Sequence, residues 1–320
     1  MGENSKIEWT DNTFNPVMGC MKVSDGCKFC YAEEMMDHRY GKAQWGPNTT
    51  RVRTSLANWR KPYQWNKAAE RLGIRYKVFC ASLSDVFEDH PDWVQPRRDL
   101  LHMITETPYL DWQLLTKRPE NVLRLVEQAG EGLMELYPLT SAKKWLRWLK
   151  HGRDYALPNV WFGTSVENQE AANKRIPELL KIPAAVRFLS MEPLLGPVKL
   201  DNGQNSYLTC TNTDESHECC ESFAVYGEHY HGIDWIVTGG ESGTHARPMN
   251  PNWARSIRDQ CQAAGVAYFH KQNGEWASVS EVEGAGQHYH FEDGATVRRV
   301  GKHAAGRLLD GVEWSQFPSM

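Results

Sequence analysis

The 320-residue chain lacks any run of about 18 apolar residues, so no segment reads as a membrane span. It lacks internal repeats and low-complexity stretches, which excludes a repeat architecture. Its first residues, MGENSKIEWT, have no apolar core of the secretory kind, so a cytoplasmic location is expected. It has no surplus of positive charge: 36 Lys and Arg against 40 Asp and Glu leave a net −4. That balance rules out a globally basic nucleic-acid coat and leaves room for a local basic patch. With no export signal, Cys20, Cys27, Cys30, Cys80, Cys210, Cys219, Cys220 and Cys261 read as reduced thiols or metal ligands rather than disulfides. What the chain has in excess is tryptophan, 13 residues, a type that serves ligand and interface surfaces as well as cores. The length suffices to bury a full core without a staple of disulfides or metal.

Short apolar runs alternate with helical patterns. The runs are Tyr76–Asp85, Trp112–Pro119, Asn159–Asn168, Val186–Leu194, Ile233–Ser242 and Val266–Gly274, and each turns polar at its end. Helices are expected over Pro91–Thr107, Pro119–Gln128, Asn168–Leu180 and Asn250–Ala264, with Pro in the first turn at Pro91, Pro119 and Pro251. An earlier strand is expected near Thr13–Met18. About seven strands alternating with helices predict an α/β fold, a partial or full (β/α) barrel with its chemistry at the carboxyl ends of the strands. The barrel is expected over residues 1–276, with a polar insertion at 201–232. Residues 277–320 are expected to form a hairpin around FEDGATV and a short helix.

Cys20, Cys27 and Cys30 are spaced Cys-x6-Cys-x2-Cys within GCMKVSDGCKFCYAEE. Three thiolates with no near fourth ligand, His38 being the nearest candidate, suit two centres. One is a zinc site completed from afar. The other is a four-iron cluster that leaves one iron open to chelate a substrate or cofactor. In the insertion, Cys210, His217, Cys219 and Cys220 read as a flexible polar loop or a second metal site.

This loop resembles the cluster-binding loop of the radical S-adenosylmethionine superfamily, whose usual pattern is Cys-x3-Cys-x-aromatic-Cys. Phe29 stands at the aromatic position and Tyr31 follows the last cysteine; the first spacing is longer, six residues instead of three. Over nearly its whole length the chain also resembles a phage protein family of uncharacterised function. The segments that carry this are KIEWTDNTFNPVMGC, GCKFCYAE, ASLSDVF, LLTKRPE, NVWFGTSVEN, IDWIVTGGESG and GRLLDG. A phage origin would place the protein in the host cytoplasm. A further resemblance is to the spore photoproduct lyase family, radical enzymes acting on thymine in DNA, which bind the cofactor with Ser, Lys and Ser after successive strands. Ser82 or Ser84, Lys117 and Ser165 occupy those places here.

The resemblance implies a [4Fe-4S] cluster on Cys20, Cys27 and Cys30, bound S-adenosylmethionine, and a flavodoxin- or ferredoxin-type reductant. It implies cofactor contacts from Phe29, Tyr31, Ser82, Ser84, Lys117 and Ser165. Glu241, in a Gly-Gly-Glu stretch that falls after a late strand, is a further binding candidate beside a turn-closing role. The family's hydrogen-donor cysteine directly precedes its strand-two Ser; Ala81 stands there. Period-two alternation puts Cys80 on the face of Ser82 and Ser84, as a catalytic candidate or a small core residue. Glu192, Lys271 and Gln272 also end strands.

Between Asp37 and Lys67 one acid faces seven cations, Arg39, Lys42, Arg51, Arg53, Arg60, Lys61 and Lys67, with Trp45, Trp59, Tyr63 and Trp65 interleaved. Cations for phosphates and aromatics for bases make this strip a candidate nucleic-acid surface. A second basic stretch, Lys143–Arg153, carries Trp145, Leu146, Trp148 and Leu149 on one helical face. The expected function is hydrogen abstraction from a nucleobase in DNA or a nucleotide, with isomerisation of a hypermodified thymine as the specific reaction. The alternative is a non-catalytic, zinc-stabilised nucleic-acid-binding protein.

Overall fold

The computed structural model describes residues 3, 5–137, 139–201, 206–208 and 232–319. Cys210, His217, Cys219, Cys220 and most of the 201–232 insertion lie outside the described residues. The chain divides into two compact units, Met1–Thr164 with Lys181–Ala185, and Ser165–Leu180 with Val186–Met320.

In the first unit the opening strand is β1, Asn12–Thr13, which runs parallel to a later strand. The strand expected at Thr13–Met18 is therefore shorter and earlier. Pro16 has no amide hydrogen to give to a ladder, and the chain leaves the sheet there. β2, Val17–Met18, pairs instead with β3, Val52–Arg53, in an antiparallel ribbon. An unexpected helix follows over Leu56–Leu72. Ser55 caps it by accepting from the Asn58 amide, and Gly73 ends it in the left-handed conformation. It buries Trp59, Trp65 and Ala69.

β4, Tyr76–Cys80, and β5, Leu110–Thr116, come next, then β6, Val160–Ser165, whose last residue opens the second unit. They are almost continuously buried, as parallel strands covered on both faces must be. The helices Val94–Glu106 and Val122–Leu136 each start from a 3-10 turn led by proline, Pro91 and Pro119. The basic helix Leu139–His151 buries Trp145 and Trp148 and leaves Lys143, Lys144, Arg147 and Lys150 exposed. The Trp145 indole donates to the Leu101 carbonyl at 3.0 Å, and Trp148 stacks on Phe162 at 5.7 Å.

The second unit holds β7 (Val186–Met191), β8 (Trp235–Gly239) and β9 (Ala267–Gln272), with helices Gln169–Leu180 and Pro251–Ala264. Its last part is a small antiparallel sheet of β10 (Trp276–Ser278), β11 (His288–His290) and β12 (Thr296–Arg299), in the order β10-β12-β11. After the helical turn Lys302–Ala305, β13 (Leu308–Leu309) and β14 (Val312–Glu313) form a two-stranded hairpin.

The parallel strands follow one another in chain order, β1-β4-β5-β6-β7-β8-β9. An open parallel series with crossover helices is a partial (β/α) barrel, the narrower of the two forms expected. Among the described residues no helix is long and apolar enough to cross a membrane.

Candidate functional site

The cysteine loop leaves the carboxyl end of β1 through the β2–β3 ribbon. Gly19 starts it at φ +104°, and an added Cβ there would meet the Arg51 side chain and the Gln44 carbonyl at 3.3 Å. Only glycine combines that dihedral with so close an approach. The Gly19 amide donates to the Leu83 carbonyl at 3.1 Å, and the Cys20 carbonyl accepts from the Gly46 amide at 3.1 Å. Cys27 closes a turn on the Ser24 carbonyl at 2.9 Å, and Cys30 leads into the short helix Tyr31–Glu33. All three thiols are half-buried and free. Burial pushes the Cys20 thiol up to about 12, helped by the nearby Asp85 carboxylate and opposed by Arg118. Burial also raises Cys30, with Lys117 acting the other way.

Beside Cys20 lies a charge cluster that sequence reading did not identify. Arg118 donates to Asp85 at 2.8 Å and to the Met21 carbonyl at 2.8 Å, and its Nη1 faces the Cys20 Sγ at 3.9 Å. Asp85 also accepts from the Thr116 hydroxyl at 2.7 Å and from the Phe87 and Lys117 amides at 3.0 Å. Glu88 takes two bonds from Arg51, both at 2.8 Å. The only sequence signal was position, since SLSDVFED and TKRPE are the polar ends of two runs. Nothing local pairs Asp85 with Arg118, 33 residues on.

β4 ends at Cys80, so the alternation that put Ser82 and Ser84 on the face of Cys80 stops there. Both serines lie in the loop beyond. Ser82 accepts from the Asn15 side-chain amide at 3.0 Å, and Ser84 donates to the Val17 carbonyl at 2.8 Å. The Oδ1 of the buried Asn15 accepts from the Leu83 amide at 2.8 Å, which fixes the loop to the segment after β1. The exposed Tyr31 hydroxyl donates to the Ser82 carbonyl at 2.9 Å, and the half-buried Phe29 carries the Lys28 ammonium 5.4 Å from its ring centre. Lys117, half-buried, follows β5. Cys80 is fully buried, and burial alone pushes its thiol up. His38 is exposed and pairs with Glu34 at 2.9 Å.

In the second unit Ser165 ends β6 in a buried setting, its carbonyl accepting from Arg175, which also pairs with Glu167 at 2.6 Å. Glu241 is buried and held by Arg247: side chain to both oxygens at 2.8 and 2.7 Å, and backbone amide at 2.9 Å. Its carboxylate closes the turn after β8, one of the two roles expected. Glu192 and Lys271 form an ion pair at 3.2 Å.

The basic strip is corrected in part. Arg51 is buried on Glu88, and Arg53 pairs with Asp99 at 2.5 Å. Trp59 and Trp65 are core residues and cannot stack on bases. Arg39, Lys42, Arg60, Tyr63 and Lys67 remain exposed.

Three free thiols on one loop suit iron or zinc in kind. Among the described residues no three His, Cys, Asp or Glu side chains stand together around a common ion position.

Compared with solved structures, the chain is similar to a cysteine-to-serine variant of spore photoproduct lyase, with a TM-score of 0.40 and 14% identity, covering 93% of this chain and 71% of that one. A double variant of the same enzyme with bound AdoMet and dinucleoside spore photoproduct gives a TM-score of 0.40 at 13% identity, with the same coverage. No curated protein matches the chain. A family model described as "Protein of unknown function (DUF5131)" matches residues 4–318, and the chain belongs to that family.

Proposed function

We propose that this chain is a radical S-adenosylmethionine enzyme in which Cys20, Cys27 and Cys30 hold a [4Fe-4S] cluster. The observation that supports it best is a juxtaposition within the first unit. Three free thiols sit on the loop after β1, and that loop is bonded through Gly19 to the segment of Ser82 and Ser84 after β4. Lys117, after β5, is tied to the same end of the sheet by its amide, which donates to Asp85 at 3.0 Å. Parallel strands collect their functional loops at this end. When bound and reduced by a flavodoxin- or ferredoxin-type protein, the cluster and S-adenosylmethionine supply hydrogen abstraction from an unactivated C–H bond.

The chain's own residues bind and orient. Phe29 and Tyr31 flank the last ligand, while Ser82, Ser84 and Lys117 are the proposed cofactor contacts. The substrate is a nucleobase in DNA or a nucleotide, with a modified thymine as first choice. Cys80 is sealed in the core. That supports a cycle in which Cys80 does not quench the product and the abstracted hydrogen returns to a rearranged product, making the enzyme an isomerase.

Anaerobic reconstitution with iron and sulfide is expected to yield brown protein with the composition of one [4Fe-4S] cluster. The triple alanine variant of Cys20, Cys27 and Cys30 should lose the iron and keep its circular dichroism. Colourless protein carrying zinc would replace this reading with the zinc-stabilised binding protein. Incubation with S-adenosylmethionine and dithionite, followed by mass spectrometry of nucleosides from candidate phage DNA, identifies the substrate. Deuterium at the abstracted position should appear in recovered S-adenosylmethionine; stoichiometric 5′-deoxyadenosine would exclude the isomerase.

A further inference from the structure

We infer that Arg118 is a positioning residue for the first ligand of the cysteine loop, donating an N–H to the Cys20 sulfur and so setting the potential of the cluster held there. The inference rests on the proposed function.

Arg118 stands at the carboxyl end of β5, buried, and its guanidinium is fixed on several sides. Nη1 donates to Asp85 at 2.8 Å, and Nη2 donates to the Met21 carbonyl at 2.8 Å. Glu88 lies 3.7 Å from Nη2. Asp85 is itself held by Thr116, Phe87 and Lys117, and the Arg118 amide donates to the Thr116 hydroxyl at 2.9 Å. The planar fork therefore cannot turn away, and Nη1 is left 3.9 Å from the Cys20 Sγ, within the range of a hydrogen bond to sulfur. Arg51 neutralises Glu88 with two bonds, so Glu88 does not draw Arg118 off.

Two consequences follow. The loop is tied down at the residue after its first ligand, because the Met21 carbonyl has a charged donor. The ligand sulfur also receives an N–H. Hydrogen bonds to the sulfurs of an iron–sulfur cluster, with nearby charge and burial, set its reduction potential. A sulfur that accepts a cationic donor holds added electron density more easily, so the bond raises the potential.

The test uses the full chain, reconstituted anaerobically, with Arg118→Gln and Arg118→Lys. Redox titration followed by electron paramagnetic resonance is expected to show the Gln variant shifted to more negative potential at unchanged iron content. The Lys variant keeps the charge and can pair with Asp85 but cannot serve both Met21 and Cys20. It should fall between the two, and it preserves the test if the Gln variant fails to fold. In the metal-free proteins, hydrogen exchange across residues 19–22 should accelerate several-fold in Arg118→Gln. Faster exchange with an unmoved potential in both variants would reduce Arg118 to a loop anchor and overturn the inference. Wild-type protein that takes up no iron would instead overturn the proposed function, a different observation from an unshifted potential.

Discussion

Arg51 shows how one side chain is committed. Its guanidinium gives two bonds to Glu88 and others to the Thr49 and Gly46 carbonyls, with its aliphatic stem against Gly19. Arg51→Met leaves the Glu88 carboxylate buried with only the more distant Arg118, and is expected to destabilise the protein by about 3–5 kcal/mol. A urea titration checks this, and the additional change Glu88→Leu should recover much of the loss. His270 is a second committed group. It is fully buried between Thr238, at 2.9 Å, and Asn273, at 3.0 Å. Burial lowers its pKa to about 4, partly opposed by the bond to Asn273. Unfolded histidine titrates near 6.5. Between these values the unfolded chain binds a proton that the folded chain refuses, so stability is full above about 6.5 and falls as pH drops toward 4. The difference amounts to roughly 3 kcal/mol, and no further loss from this group occurs below pH 4. Urea midpoints between pH 7 and 4 should show this slope, and His270→Asn should remove it.

At the scale of elements, the helix Leu139–His151 separates packing from charge. Trp145 and Trp148 are fully buried, while the lysines and Arg147 face solvent. Trp148→Ala should cost about 3–5 kcal/mol through lost burial and a cavity. Lys143→Ala and Lys150→Ala should stay within about 0.5 kcal/mol. Thermal unfolding of the three variants distinguishes these outcomes. The helix Leu56–Leu72 makes the same point for the basic strip, because its two tryptophans face the core and its exposed side carries Arg60 and Lys67.

At the scale of the whole molecule, the proposed contact with DNA falls to the cations that the fold does not use. If DNA binds this strip, replacing Arg39, Lys42, Arg60 and Lys67 together should flatten the dependence of binding on salt, because fewer condensed counterions are released. Fluorescence anisotropy of a labelled oligonucleotide over a salt series measures the slope. An unchanged slope would move the contact elsewhere, the exposed face of Leu139–His151 being the next surface to test.

Much of the architecture was legible in sequence. Each apolar run became a parallel strand because a strand covered on both faces must be apolar along its length. Prolines at 91, 119 and 251 marked helix starts because a first-turn residue has no amide to lose. The three cysteines stood out because so few spacings suit a metal. Three features were not legible. The chain leaves the sheet at Pro16, the helix Leu56–Leu72 lay hidden in a basic, aromatic composition, and Trp59 and Trp65 turned inward. Composition states which residues are present, whereas their facing depends on what packs against them. The cluster of Arg51, Asp85, Glu88 and Arg118 around Cys20 is the clearest case. Its members come from three segments of the chain, and each read alone is an ordinary charged residue at a strand end or in a loop. Local periodicity and spacing therefore determined the strands and the helix starts, and singled out the cysteine loop. Only tertiary folding decided which charges are buried against one another, because burial makes each of them find a partner, and that partner is set by strand order rather than by distance along the chain.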